Sequence, residues 1–306
     1  MKHPLIVERL NKTMGNTHII KDMSFALERG QIYGFLGPNG SGKTTTIRMI
    51  VSLIAADSGE VKIEGKSIRT EREEALPHIG AIVEDPDLYL YLTGKQNLIH
   101  YANMSVKPIS RERINDVAKL VELDDAINKK VKTYSLGMKQ RLGIAVSLLH
   151  EPSVLILDEP TNGLDPKGMR DLRDYLRRLA RENGVTLFIS SHQLSEVEML
   201  CDRAIIIKDG HVVDEVDMSR SRSEEELYTI RLEVAPHAVA KKVLEAFGHV
   251  KSRDGELVIE KQRHTNIPSM IQALIEAGVD VFATNYQQRL EDAYFDLTEE
   301  KKERVS

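Results

Sequence analysis

The stretch Ile32-Tyr33-Gly34-Phe35-Leu36-Gly37-Pro38-Asn39-Gly40-Ser41-Gly42-Lys43-Thr44 opens on a short apolar run and then breaks at once into glycines. A helical pattern, Thr45-Thr46-Ile47-Arg48-Met49-Ile50, follows without a gap. This order reads as strand, loop, helix. Glycines let the backbone curl so that several N–H groups point inward, and the start of the next helix adds its positive end, so the loop is a cradle for an anion. The spacing G-x-x-x-x-G-K-[ST] is that of a phosphate loop. It makes Gly37, Pro38, Asn39, Gly40, Ser41, Gly42, Lys43, Thr44 and the adjoining Thr45 candidate contacts to the phosphates of a nucleoside triphosphate, without saying which. Lys43 would reach the β- and γ-phosphates as a point charge, and the Thr44 hydroxyl would ligate Mg2+.

Outward from this loop, short apolar runs recur at Val61–Ile63, Ile79–Val83, Val154–Leu157, Thr186–Ile189 and Ala204–Ile207. Several are nearly all apolar, as parallel strands covered on both faces would be, so the fold class is α/β. From Thr93 to His150 strand signals vanish, and Gln96–Met104, Ser110–Val121 and Met138–His150 read as helices of an all-helical insert at about 86–150. Gly168–Glu182 reads as an ordinary amphipathic helix with Leu172, Tyr175, Leu176 and Leu179 on its apolar face. After about Val216 the polar run Met218-Ser219-Arg220-Ser221-Arg222-Ser223-Glu224-Glu225-Glu226 marks a linker, taken as 217–227. Residues 228–306 then read as a small α+β domain. Its expected order is strand Tyr228–Val234, helix Ala238–Phe247, strands Val250–Arg253 and Leu257–Ile259, helix Ile267–Ala277, strand Val279–Thr284 and helix Leu290–Leu297. The order β-α-β-β-α-β suggests a ferredoxin-like unit.

Composition narrows the functional classes. With 306 residues, 41% hydrophobic and 29% charged, the chain can bury one large core or two modest ones. A net charge of -5, no Trp and 5% aromatics provide neither a basic surface nor stacking platforms, so no nucleic-acid partner is expected. The single Cys201 excludes an internal disulfide framework and fits a reducing compartment. No run approaches the roughly 18–20 apolar residues needed to span a bilayer, so any membrane attachment is expected through a partner, at the cytoplasmic side.

A second chemical element is Ser153-Val154-Leu155-Ile156-Leu157-Asp158-Glu159-Pro160, an apolar strand ending in two acids, where ligands bind in open α/β sheets. Beside a phosphate loop, Asp158 is a candidate Mg2+ ligand and Glu159 the candidate general base that polarises the attacking water. Three further segments complete the pattern: Tyr134-Ser135-Leu136-Gly137-Met138-Lys139-Gln140-Arg141, Asn162-Gly163-Leu164-Asp165-Pro166 and Ser190-Ser191-His192. They resemble, in order, the signature motif, the D-loop and the switch histidine of ABC ATP-binding cassettes. The usual signature reads L-S-G-G-Q, so Ser135 and Gly137 match while Leu136 and Met138 depart. A serine hydroxyl and a glycine N–H at a helix start can still hold a γ-phosphate.

The resemblance to ABC cassettes runs from about Leu5 to Val216, within an expected cassette domain at 1–216. It is most specific to the cassettes of bacitracin and lantibiotic immunity exporters, through Ile79-Gly80-Ala81-Ile82-Val83-Glu84-Asp85-Pro86 and Leu92-Thr93-Gly94-Lys95-Gln96-Asn97-Leu98. It implies a P-loop NTPase core, hydrolysis of ATP with Glu159, His192 and Lys43 as catalytic groups, and a separate transmembrane permease gripped by the helical insert. It also implies a second cassette, as a homodimer, in which ATP lies between Lys43 of one copy and Ser135, Gly137 and Asp165 of the other. Glu84 stands where most cassettes carry glutamine and would join Thr44 and Asp158 at the metal, adding negative charge there. Met14 stands where an adenine-stacking ring is usual, which implies weaker selection of the base. The alternative is a soluble ABC-type ATPase acting on nucleic acid or ribosomes. Repair relatives carry a very long coiled coil and ribosomal relatives two cassettes, and this chain has neither feature. Loss of Glu159 or His192 would mark a nucleotide sensor without turnover, and both residues are present.

Overall fold

The computed structural model describes residues 2–218, 227–253 and 255–287. Two units emerge, Met1–Glu215 and Val216–Ser306. In the first, the elements run β1 (Leu5–Met14), β2 (Thr17–Leu27), β3 (Ile32–Leu36), α1 (Lys43–Ile50), β4 (Ser58–Ile63), β5 (Lys66–Ser67), α2 (Arg72–Ala75) and β6 (Ile79–Ile82). They continue as α3 (Gly94–Asn103), α4 (Arg111–Leu120), α5 (Leu136–Leu148), β7 (Val154–Asp158), α6 (Pro166–Asn183), β8 (Thr186–Ser191), α7 (Leu194–Leu200), β9 (Arg203–Lys208) and β10 (His211–Asp217).

One sheet has the order β10-β9-β3-β8-β7-β6, in which β9, β3, β8, β7 and β6 run parallel to one another. Every residue of β3, β7 and β8 is buried, as the uninterrupted apolar runs require of strands covered on both faces. A second sheet, β2-β1-β4-β5, is antiparallel. The run Val61–Ile63 belongs here, in β4, and not among the parallel strands where its apolar character pointed. Its buried residues alternate with half-buried ones because one face meets the core. The core between the sheets contains Phe25, Phe35 and Phe188, whose ring centroids lie 5.0–5.7 Å apart, with Ile47 and Ile50 of α1.

The helices of 94–148 start where capping residues stand. Thr93 and Gln96 form a reciprocal capping box on α3, and Ser110 accepts the Arg113 N–H at the start of α4. Asp165, Pro166 and Gly184 bracket α6, with Gly184 in the left-handed region at φ 67°.

In the second unit, β11 (Leu227–Ala235), α8 (His237–Leu244), β12 (Val250–Arg253), β13 (Glu256–Arg263), α9 (Ile267–Glu276) and β14 (Asp280–Gln287) follow in that order. The antiparallel sheet is ordered β12-β13-β11-β14, the ferredoxin-like arrangement. Ile230, Leu232, Leu257 and Ile259 meet Leu244, Met270 and Leu274 of the two helices in its core. Most of the segment read as a linker, and the expected helix Leu290–Leu297, lie outside the described residues.

Candidate functional site

The phosphate loop leaves β3 at Leu36 and enters α1 at Lys43. Gly42, just before α1, has φ 105°, a backbone conformation that calls for glycine, and a Cβ there would also have to displace the tip of Ile20 of β2, whose Cδ1 would lie 2.4 Å away. The loop curls back on itself, with Ser41 N–H donating to Pro38 O at 3.2 Å. Lys43 folds across it, donating from Nζ to Gly37 O at 2.8 Å and Pro38 O at 3.4 Å. Ser41 is 3% exposed and its hydroxyl has no hydrogen-bond partner among the described residues, an orphaned polar group at the loop. Thr45 lies half-buried in the first turn of α1.

The parallel sheet brings the acidic pair to this loop, because β7 and β3 both flank β8 and end at the same edge. Thr44 Oγ1 donates to Asp158 Oδ2 at 2.9 Å. Ser190, at the end of β8, donates to Asp158 Oδ1 and accepts the Glu159 N–H at 2.9 Å. Glu159 itself has φ 46°, an uncommon conformation for a residue with a Cβ. Its carboxylate lies 3.6 Å from Lys43 Nζ, accepts from Asn162 Nδ2 at 2.6 Å and lies 2.9 Å from His192 Nδ1.

Burial works to raise the Glu159 carboxyl, but the Asn162 amide, His192 and Lys43 outweigh it and hold the group below the usual carboxylate range. Burial pulls the Lys43 ammonium below its ordinary value, against the opposing pull of Glu159 and Asp158. The centre is therefore an ionised carboxylate facing a desolvated cation at the mouth of an anion cradle.

Ser135, Gly137 and Asp165 gather in a different place. Ser135 caps α5 through the Met138 N–H at 3.3 Å, and Asp165 caps α6 through the Gly168 N–H at 2.8 Å. The two segments touch: a Cβ on Gly163 would lie 3.0 Å from Leu136, and one on Gly137 would lie 3.7 Å from Leu164. The unusual Leu136 thus packs on the segment that resembles a D-loop. Glu84 is 64% exposed in its side chain and ion-paired with Arg48 of α1. Met14 closes β1 at 38% exposure. Ser190 and Asn162, which hold Asp158 and Glu159, were not singled out in the sequence as site residues. The bonds of Ser190 depend on sheet order, whereas that of Asn162 is local, reaching back three residues along its own loop.

These features define a P-loop nucleotide hydrolase. The ABC transporter family model, ABC_tran, matches residues 20–162. The chain is 44% identical to the ABC transporter ATP-binding protein YhcH of Bacillus subtilis, over 100% of this chain and 99% of that protein. It belongs to the ATP-binding proteins of ABC transporters, binds ATP and hydrolyses it. It is 38% identical to the bacitracin transport ATP-binding protein BcrA of Bacillus licheniformis, over 94% of this chain and 95% of that one. It is also 40% identical to the lantibiotic transport ATP-binding protein SrtF of Streptococcus pyogenes, over 73% and 95%. Among solved structures, cbiO1 of Clostridium perfringens, part of the ABC transporter complex cbiONQ, superposes with TM-score 0.66 at 28% identity, over 80% of this chain and 96% of that one. A cassette dimer in a post-hydrolysis state with ADP and Pi matches with TM-score 0.61 at 26% identity, over 70% and 98%.

Proposed function

We propose that the chain drives export of a peptide antibiotic or similar drug through a separate permease, with Glu159 as the general base of ATP hydrolysis. The observation that carries the base assignment is the fixed Glu159 carboxylate, 3.6 Å from Lys43 and in contact with His192 and Asn162. Gly37 to Thr45 cradle the triphosphate through backbone N–H groups, and the orphaned Ser41 hydroxyl and compact Gly42 fit that role. Lys43 exchanges its carbonyl partners for β- and γ-phosphate oxygens. Glu159 takes the proton of the attacking water, and His192 orients Glu159 and meets the γ-phosphate.

Mg2+ suits the oxygen pair Thr44 and Asp158, and when bound it would neutralise charge on the phosphates. Among the described residues no cluster of three or more His, Cys, Asp and Glu could hold a metal alone, which fits an ion completed by phosphate and water. Glu84 would join this set only after leaving Arg48.

A second copy supplies Ser135, Gly137 and Asp165 across the nucleotide. The dimeric structural relative supports this, as do the exposed positions of Ser135 and Asp165 here. The permease is read from the complex that includes cbiO1, and the peptide-antibiotic cargo from BcrA and SrtF. The helical insert would grip the permease, bringing the chain to the cytoplasmic face of the membrane.

Replacing Glu159 with Gln tests the centre, since it keeps the shape and removes the basicity. Steady-state hydrolysis should fall by roughly two to four orders of magnitude while ATP binding survives. The variant should accumulate as an ATP-loaded dimer in size-exclusion chromatography, whereas Lys43→Ala should lose affinity and stay monomeric. Substantial turnover by Glu159→Gln would move the role of base toward His192.

A further inference from the structure

We propose that Glu196 is a positioning residue for hydrolysis, tying the loop that carries Glu159 to the loop that carries His192. Glu196 lies in the first turn of α7 and is 8% exposed. Its Oε2 accepts two hydroxyls, Thr161 Oγ1 at 2.7 Å and Ser191 Oγ at 2.9 Å. Both donors are themselves buried. Thr161 stands two residues beyond Glu159, and Ser191 immediately precedes His192. One carboxylate oxygen therefore joins two segments separated by about thirty residues of chain, at the point where their side chains meet as the Glu159–His192 contact.

The arrangement is costly for a merely structural contact. A buried carboxylate held by two hydroxyls, with its Oε1 bonded to none of the described residues, is poorly repaid for its desolvation, and an apolar side chain would pack a helix there at less cost. It does suit the strain at Glu159, whose left-handed φ must be enforced from both sides. On the near side the Glu159 N–H is held by Ser190, and on the far side Thr161 is held by Glu196. Ser190 and Ser191, adjacent at the end of β8, thus serve the two halves of a single brace. No hydrogen bond of the Glu196 side chain among the described residues ends on Gly37–Thr44; the link from Ser191 to that loop, Gly37 N–H to Ser191 O at 3.4 Å, runs through the strand backbone, which the parallel sheet holds independently, so the side-chain brace acts mainly on the chemical step rather than on nucleotide affinity.

The inference rests on Glu159 as base, and steady-state ATPase kinetics of the full-length chain can test the two separately. Glu196→Ala should lower kcat by about 10- to 100-fold, the scale of a small misplacement of a catalytic group, with KM for ATP changed less than about threefold. Glu196→Gln keeps an acceptor oxygen and should restore kcat to within about threefold of wild type. Thr161→Val should match Glu196→Ala, and combining the two should add little, as for members of one network. In a Glu159→Gln background, Glu196→Ala should cause no further loss of the residual rate.

Wild-type kcat in a folded Glu196→Ala, equal damage from Gln and Ala, or an undiminished effect in the Glu159→Gln background would each overturn the brace. If Glu196→Ala melts below the assay temperature, Thr161→Val and Ser191→Ala carry the same test. An active Glu159→Gln sinks the base assignment itself. An inactive Glu159→Gln beside a wild-type Glu196→Ala sinks only the brace.

Discussion

At the scale of single residues, the protonation of Glu159 sets the acid side of the reaction. The Asn162 amide, His192 and Lys43 favour its ionised form over the burial that opposes it, so its pKa falls below the ordinary 4.5. A base with a lowered pKa remains competent to lower pH. The Asn162 hydrogen bond is the largest single interaction lowering it, so Asn162→Ala should shift the acid limb of kcat/KM toward higher pH. That profile reports the free enzyme, and an unmoved limb would show that Asn162 does not tune the base. Glu84 makes a second case. It is exposed and paired with Arg48, in a left-handed conformation at φ 68°. Glu84→Gln should keep ATP binding and most basal hydrolysis, because an amide oxygen can still ligate a metal. Glu84→Ala should impair transport more than hydrolysis, measured in vesicles with the permease. Loss of nucleotide binding in the alanine variant would contradict the placement of this residue at the edge of the site.

At the scale of elements, the position of α5 against the parallel sheet depends on a missing side chain. Gly80 in β6 faces α5 so closely that a Cβ would lie 2.3 Å from the Ser147 carbonyl oxygen. The Ser147 hydroxyl returns the contact by donating to Ala81 O at 3.2 Å. Because the obstacle is backbone, Gly80→Ala must displace the helix or the strand. It should cost about 1–3 kcal/mol, the usual range for overpacking, read as a lower midpoint in thermal or urea unfolding. An unchanged midpoint would mean that α5 yields freely at this point. Ser135 caps the same helix, so a shift of α5 would also move the surface proposed above to meet a second cassette. The periodicity in the sequence found these helices but began three of them two residues late, at Gln96, Met138 and Gly168, because it follows side-chain spacing and not the caps; Thr93, Ser110, Ser135 and Asp165 each bond to an N–H three residues on.

At the scale of the whole molecule, no helix among the described residues is long and apolar enough to cross a membrane. The helical insert nevertheless exposes Tyr91, Met104 and Val106, and gathers the rings of Tyr89, Tyr91, His100 and Tyr101 at 4.7–6.4 Å. Such a patch suits a protein partner. Recovery of the chain with membranes should therefore require co-expressed permease, and Tyr91→Asp should reduce it. Equal recovery without the permease would defeat this reading. The phosphate loop, the paired acids and the capped helices could be read from sequence because each is a contiguous segment whose chemistry lies in its own backbone and neighbouring side chains. The cassette family followed from their order. Tertiary structure alone decided that Val61–Ile63 joins an antiparallel sheet, that Glu84 turns to Arg48, and that Ser190 and Glu196 secure Asp158 and Thr161. Most of these contacts join residues more than thirty positions apart, and strand pairing and sheet order, which no local pattern encodes, bring such residues within hydrogen-bonding distance.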